Sequence, residues 1–201
     1  KNAKEKAKDL GYRLLKGSHK KVVNKGKDPK STVNIMIYGD TKYDAKEAFA
    51  FKALGDVLTI KLVEELRENE SGVYGVGARG SMNKVPYGSY NFSISFPCGP
   101  ENAEKLTESA LRELNKLITN GPEQKDLDKF KEASRLEYKE NLKENRYWMA
   151  LLKRAYTEDV NPEEVFQFEE KLNALTVKDL QDIAKKYLSK DKVIGMLMPE
   201  E

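Results

Sequence analysis

Residues 66–78, with the sequence LRENESGVYGVGA, decide the fold, because an amphipathic helix runs into a strand there. Arg67 and Tyr74 lie seven positions apart across this junction, with Gly72 between them. An arginine guanidinium is a rigid, always-charged fork and a tyrosine supplies a phenolic O–H, so a converging pair can hold a peptide carbonyl or a carboxylate. The junction therefore predicts a helix leading into a hairpin, with a candidate binding site beside the turn.

Outward from the junction, apolar periodicity and turn residues predict a sequence of helices and strands. The predicted helices cover residues 1–16, 41–67, 101–120, 123–147, 148–156 and 176–187, and a further short helix begins at Asn161. The predicted strands cover 31–38, 73–79, 87–98 and 192–198, with a polar turn at 81–86 between the second and the third. Thr41 is predicted to cap the long helix with Asp44 as its partner, and residues 17–30 are predicted to be a polar linker. This order lacks a regular βαβ rhythm, so it predicts an α+β fold, a mostly antiparallel sheet with helices packed mainly on one face.

Composition restricts the class of protein further. The 201 residues are 39% hydrophobic and 34% charged, which is typical of a soluble globular protein. No apolar run reaches the about 18 residues that a membrane-spanning helix needs, so no membrane span is expected. Cys98 is the single cysteine, which excludes an intrachain disulfide and a C-x-x-C motif; at the end of a predicted strand it is expected to be a small buried side chain.

The basic residues are concentrated at the start of the chain. Residues 1–30 carry eleven basic and three acidic side chains, or +8, and the remainder carries 25 basic and 30 acidic ones, or −5. A basic arm can bind nucleic acid. However, lysines dominate this stretch and aromatic residues are sparse, which favours a solvated linker. A nucleic-acid-binding module therefore stays a remote alternative, and no nucleic-acid partner is expected.

The sequence argues against several kinds of catalytic or cofactor site. His19 is the single histidine, so the chain cannot build an H-x-x-E-H or Ser-His-Asp site, and in its lysine-rich surroundings it is interpreted as a surface residue. The glycine pattern Gly75-x-Gly77-x-x-Gly80 follows a helix and lies in a strand, which is the reverse of the dinucleotide fingerprint. The carboxylates near the junction are interpreted as a solvated charge run.

Several segments, taken in order, resemble the C-terminal, non-zinc-binding domain of pitrilysin-type zinc metallopeptidases, the family of insulin-degrading enzyme and mitochondrial processing peptidase. The resemblance covers residues 25–198 and rests on the stretches 25–31 (KGKDPKS), 53–58 (ALGDVL), 66–78, 93–102 (SISFPCGPEN) and 121–127 (GPEQKDL). It implies a half-clamshell metallopeptidase domain over residues 25–201, with residues 1–24 as a lead-in helix or linker.

The resemblance also implies a function and a site. Family members are inverzincins, in which another domain binds zinc through H-x-x-E-H and a distal glutamate. This chain would then be the substrate-binding, chamber-wall domain of a zinc endopeptidase, and Arg67 and Tyr74 would contact the peptide backbone. The chain itself would supply no metal ligand and no catalytic base. In its isolated form it would therefore not be catalytic.

The partners and the compartment are expected from the same resemblance. The expected partners are a zinc-binding N-terminal domain, on the same polypeptide or on a partner subunit, and a peptide substrate. The periplasm or another cell-envelope compartment is favoured over the cytoplasm. The alternative function is a non-catalytic structural or partner-binding subunit of the same fold. The presence of both Arg67 and Tyr74 favours the peptidase, because a pseudo-enzyme has no need to keep them.

Overall fold

The computed structural model describes residues 7–158 and 160–200, and within them five strands form one sheet. The strands are β1 His19–Asn24, β2 Ser31–Asp40, β3 Gly77–Asn83, β4 Ser89–Cys98 and β5 Val193–Met198. They lie in the order β1-β5-β2-β4-β3. β1 pairs with β5 in parallel, and the other three pairings are antiparallel. The predicted mostly antiparallel sheet is confirmed, with one parallel pair that makes it a mixed sheet.

Helices account for most of the remaining described chain. Their bounds are α1 Ala45–Leu62, α2 Ala103–Asn120, α3 Gln124–Asn141, α4 Asn145–Glu158, α5 Phe168–Ala174 and α6 Val177–Leu188. Short 3-10 helices cover Pro100–Asn102 and Pro162–Gln167. The chain divides into two compact units, one made of residues up to 122 and from 178, and one made of residues 123–177. The first unit contains the whole sheet.

The core of the first unit lies on one face of the sheet, as predicted. Every second residue of β2 and β4 is buried, as expected of strands with one covered face: Val33, Ile35, Ile37, Tyr90, Phe92, Ile94 and Phe96. α1, α2 and α6 supply the apolar side chains that complete this core, among them Phe51, Leu54, Leu58, Leu106, Leu114 and Tyr187. Burying each large side chain contributes about 1.5–3 kcal/mol, so this face anchors the junction between α1 and β3.

Glycines allow α1 to approach β3 closely. A Cβ atom at Gly55 would lie 2.7 Å from the backbone nitrogen of Gly80, and one at Gly80 would lie 2.1 Å from the carbonyl oxygen of Phe51. Neither position can hold a side chain without moving backbone. This contact fixes the distance between β3 and α1.

The predicted N-terminal helix is wrong over its described part. Residues 7–16 have no regular secondary structure, and residues 1–6 lie outside the described residues. The predicted linker also contains a strand, since β1 pairs with β5 from His19 to Asn24. The periodicity was misleading because the apolar residues of the segment, Leu10, Leu14 and Leu15 among them, are exposed. The boundary at residue 25, between a lead-in segment and the family domain, stays a prediction.

Around the junction the boundaries differ from those predicted. The cap of α1 is Asp44, whose carboxylate accepts the N–H of Glu47 over 2.8 Å, so the helix starts at Ala45 and not after Thr41. β3 begins at Gly77, and before it only Val73 forms a single bridge, to Cys98. The predicted turn at 81–86 lies further on, at residues 84–88.

The second unit consists of helices alone within the described residues. Tyr138 stacks on Phe168 with ring centroids 4.6 Å apart, and its hydroxyl donates to the carbonyl of Val165 over 3.0 Å. Arg135 pairs with Glu169 at 3.2 Å. These contacts hold α3 against the segment that follows α4.

Candidate functional site

The C-terminal end of α1 changes from α- to π-helical hydrogen bonding, which the sequence did not predict. Residues Val63–Asn69 form this π-helical segment. The N–H of Glu70 still donates to the carbonyl of Glu65 over 3.0 Å, a separation of five residues. π-helical turns are rare and often occur at functional sites. Arg67 lies in the segment, directly after Leu66, which is fully buried.

The turn after this segment is fixed by packing against α2. Ser71 has a φ of 49°, in the left-handed region, and the N–H of Gly72 returns to the carbonyl of Leu66 over 2.9 Å. A Cβ atom at Gly72 would lie 2.6 Å from Cδ2 of the buried Leu106 on α2. Val73 then enters the core and bridges to β4. The backbone on both sides of the turn is thereby held in place.

Two glutamates tie the same turn to α2 through charge. Arg112 lies 3.0 Å from Glu65 and 3.6 Å from Glu70, and Lys105 lies 3.1 Å from Glu70. Hydrogen bonds from Asn69 and then Arg112 lower the pKa of Glu65. Partial burial opposes ionisation of Glu70, but the hydrogen bonds and charges facing it, Ser109 and Lys105 foremost, prevail and lower its pKa. Both carboxylates are therefore held in the charged form.

Sequence reasoning missed this role of Glu65 and Glu70. The structure corrects the interpretation of the local carboxylates as solvated charge only, because these two pair with Arg112 and Lys105 from α2. No local pattern could have shown it, since the partners lie more than thirty residues further along the chain. Glu68, in contrast, is exposed, as that interpretation predicted.

Arg67 and Tyr74 project from this fixed turn into solvent. Tyr74 is 97% exposed and Arg67 is also exposed. Within residues 7–158 and 160–200, neither the guanidinium nor the phenol has a hydrogen-bond or ion-pair partner, and no hydrogen bond joins the two side chains. The structure thus places both at one turn, with all their donors available to a ligand.

A separate cavity of about 700 Å³ lies in the first unit, between residues 13–17 and the ends of β2 and β4. Arg13 lies at its edge, donates to Asp40 over 3.0 Å and stacks 3.5 Å above the ring of Tyr87. The same guanidinium pairs with Asp9 and lowers the pKa of that carboxyl to about 2. These charges at the rim of the cavity already satisfy one another, so we assign it no function.

The residues that the structure describes do not fit a zinc site. They contain no group of three or more histidine, cysteine, aspartate or glutamate side chains able to hold a metal ion. His19 is exposed on β1, and a ring nitrogen lies 2.8 Å from the carbonyl of Lys16. Cys98 is buried as predicted, and burial raises the pKa of its thiol.

Comparison with known sequences establishes the family. The sequence model described as the peptidase M16 inactive domain matches residues 1–134, about two thirds of the chain. The chain therefore belongs to the family of peptidase M16 inactive domains. A curated relative is the probable zinc protease PqqL of Haemophilus influenzae, which is 24% identical over 169 residues. That match covers 84% of this chain and only 18% of the relative, so the relative is several times longer.

Solved structures share the fold. The periplasmic protease PqqL from Escherichia coli superposes with a TM-score of 0.76 at 20% identity, over 92% of this chain and 21% of that one. A peptidase M16 inactive domain from Pseudomonas fluorescens gives a TM-score of 0.74 at 19% identity, over 95% of this chain and 48% of that one. At these identities the likeness concerns the fold, and it confirms the predicted α+β architecture.

No helix among the described residues is both long enough and apolar enough to cross a membrane.

Proposed function

We propose that this chain is the substrate-facing, non-catalytic domain of a zinc-dependent endopeptidase, and that Arg67 and Tyr74 bind the backbone of the peptide. The observation that carries the proposal is the contrast at the turn: two unpaired donor side chains stand on backbone that Leu66, Gly72 and Val73 hold rigid. Preorganised donors of this kind are what a developing oxyanion requires. Membership of a peptidase family supplies the context.

Arg67 and Tyr74 would act only as hydrogen-bond donors. The Arg67 guanidinium can donate two parallel N–H bonds to carbonyl oxygens of an extended peptide. The Tyr74 hydroxyl can donate one to the oxygen of the scissile carbonyl, where negative charge develops as the bond is hydrolysed. Neither group would accept a proton or bind metal. The zinc site would lie on another domain, of the same polypeptide or of a partner subunit.

The wider assignment rests on the relatives. Because the chain spans only 18% of the H. influenzae relative, which is named a probable zinc protease, the activity of the complete protein is part of the proposal. The related E. coli PqqL is described as periplasmic. We accordingly propose a periplasmic or other cell-envelope location for the complete protein.

The experiment uses the complete gene product from its source cells, with its intact mass and zinc content measured first. Arg67→Ala and Tyr74→Phe are then introduced, each with a matched control, Arg146→Ala and Tyr156→Phe, whose side chains are also exposed. Losing one oxyanion donor costs about 10²–10³ in kcat, so each site variant should lose that much with zinc content unchanged. The control variants should retain the parental rate.

Two results would contradict the proposal. If the zinc-containing product keeps its full activity with Arg67→Ala and with Tyr74→Phe, the two side chains do not bind the substrate. A product of about the mass of this chain, 22.9 kDa, with no zinc and no peptidase activity alone or with a partner would favour the alternative, a structural or partner-binding subunit.

A further inference from the structure

β1 is an edge strand whose outer hydrogen-bonding groups face no other strand among the described residues. The N–H of His19 donates to the carbonyl of Lys192 over 3.0 Å, and that of Lys25 donates to Met198 over 2.8 Å. In a parallel pair, every second residue directs its backbone N–H and C=O groups at the neighbouring strand. The N–H and C=O groups of the intervening residues Lys20, Val22 and Asn24 therefore point outward.

The side chains of β1 remain exposed on both faces of the sheet. All six residues are exposed, and Val22 and Val23 are each 44% accessible. Val23 is in register with Leu197 of β5, which is 47% accessible, so an apolar strip continues across both strands. An edge with free backbone groups and exposed valines is suited to the addition of another strand.

The charge of this edge is positive. Lys20 pairs with Glu104 at 2.5 Å, but Lys21, Lys25 and Lys27 have no acidic partner among residues 7–158 and 160–200. A second copy of β1 would bring the same lysines together, and like charges directly opposite destabilise a strand pair. An acidic strand would neutralise them instead. Charge thus disfavours self-pairing and favours an acidic partner.

We propose that the outer edge of β1 binds an extended acidic segment of a separate polypeptide by strand addition. Its backbone would pair with Lys20, Val22 and Asn24, its acidic side chains would lie on the face of Lys21 and Lys25, and its apolar side chains would cover Val22 on the opposite face. The proposal is independent of the proposed function, because β1 lies at the edge of the sheet opposite β3 and the turn that carries Arg67 and Tyr74.

The test uses the 201-residue chain and a defined probe. The probe is a fluorescein-labelled, capped hexapeptide of alternating glutamate and valine, and binding is measured by fluorescence anisotropy at 50 and 300 mM NaCl. A lysine–valine hexapeptide and an N-methylated glutamate–valine hexapeptide serve as controls for charge and for backbone donors. The glutamate–valine peptide should bind, more weakly at the higher salt, and the two control peptides should not.

Two variants locate the site on β1. Val22→Pro removes an outward N–H without touching the ladder to β5, and it should weaken binding about three- to tenfold through lost hydrogen bonding. Lys21→Glu reverses a charge on the edge and should weaken binding by about three- to tenfold. Lys139→Glu, an exposed lysine on α3, is the matched control and should change affinity less than about twofold.

Hydrogen exchange identifies the binding mode directly. The bound peptide should slow exchange of the Lys20, Val22 and Asn24 amides and leave those of His19 and Lys21 unchanged, because the latter already point to β5. The proposal is overturned if the peptide does not bind at 50 mM NaCl, if it binds Val22→Pro and Lys21→Glu as well as the parent, or if sedimentation shows that β1 instead pairs two copies of the chain.

Discussion

Neighbouring residues between positions 66 and 80 occupy opposite environments. Leu66 and Val73 are buried, whereas Arg67 and Tyr74, the residues that directly follow them, are exposed. The glycines divide in the same way. A side chain at Gly80 would clash with backbone, and one at Gly75 would meet no atom within 4 Å.

One short segment thus carries both residues that hold the backbone in place and residues that are free to bind a ligand. One set of residues is fixed by contacts with α1, α2 and β4, whereas Arg67 and Tyr74 make no contact within the described residues that would use up their donors. Rigid backbone under unpaired side chains is the arrangement that preorganised binding requires. Substitutions in the two sets must therefore differ in their effect on stability.

The largest difference is expected between two glycine substitutions. Gly80→Ala places a Cβ atom 2.1 Å from the carbonyl oxygen of Phe51, so α1 and β3 must move apart, at a cost of about 3 kcal/mol. Gly75→Ala has open space and should change the free energy of unfolding by less than about 1 kcal/mol. Guanidinium unfolding followed by circular dichroism measures both. Equal stability of the two variants would show that α1 and β3 are not in close contact.

A smaller, pH-dependent difference is expected between two glutamates of the same turn. The pKa of Glu70 is lowered in the folded chain, so its carboxylate stabilises the fold above the unfolded pKa of about 4.3. Glu70→Gln should cost about 1–2 kcal/mol at pH 7. The cost should shrink as the pH falls below that value and through the lower folded pKa, because the parent then loses the same charge.

Glu68→Gln is the matched control for this pH series. Glu68 lies two residues earlier and is exposed, so its substitution should alter the free energy of unfolding by no more than about 0.5 kcal/mol. Unfolding at pH 7, 5, 4 and 3 separates the two glutamates. A constant difference between Glu70→Gln and the parent across this range would mean that the ion pairs with α2 do not stabilise the turn.

The sequence predicted the parts of this region that depend on local periodicity. Alternation in β2 and β4, and the helices α1 and α2, follow from apolar spacing, and the structure has them close to the predicted bounds. The π-helical segment and the late start of β3 flank a turn whose Gly72 packs against Leu106 of α2, more than thirty residues further along the chain, and no local pattern reports that contact. β1 was missed for a related reason. Its partner β5 is about 170 residues away, and its exposed side chains show no alternation.

The smallest effect on stability is expected where the largest effect on activity is proposed. Arg67→Ala and Tyr74→Phe remove groups that contact no partner among the described residues, so each should change the free energy of unfolding by less than about 0.5 kcal/mol. The measurement is the same guanidinium unfolding, on the 201-residue chain. A loss above about 1 kcal/mol would mean that the side chains support the turn, and lower activity of the complete enzyme would then reflect damage to the domain. Unchanged stability would let a loss of peptidase rate be attributed to the donors themselves, because the backbone that carries them would remain in place.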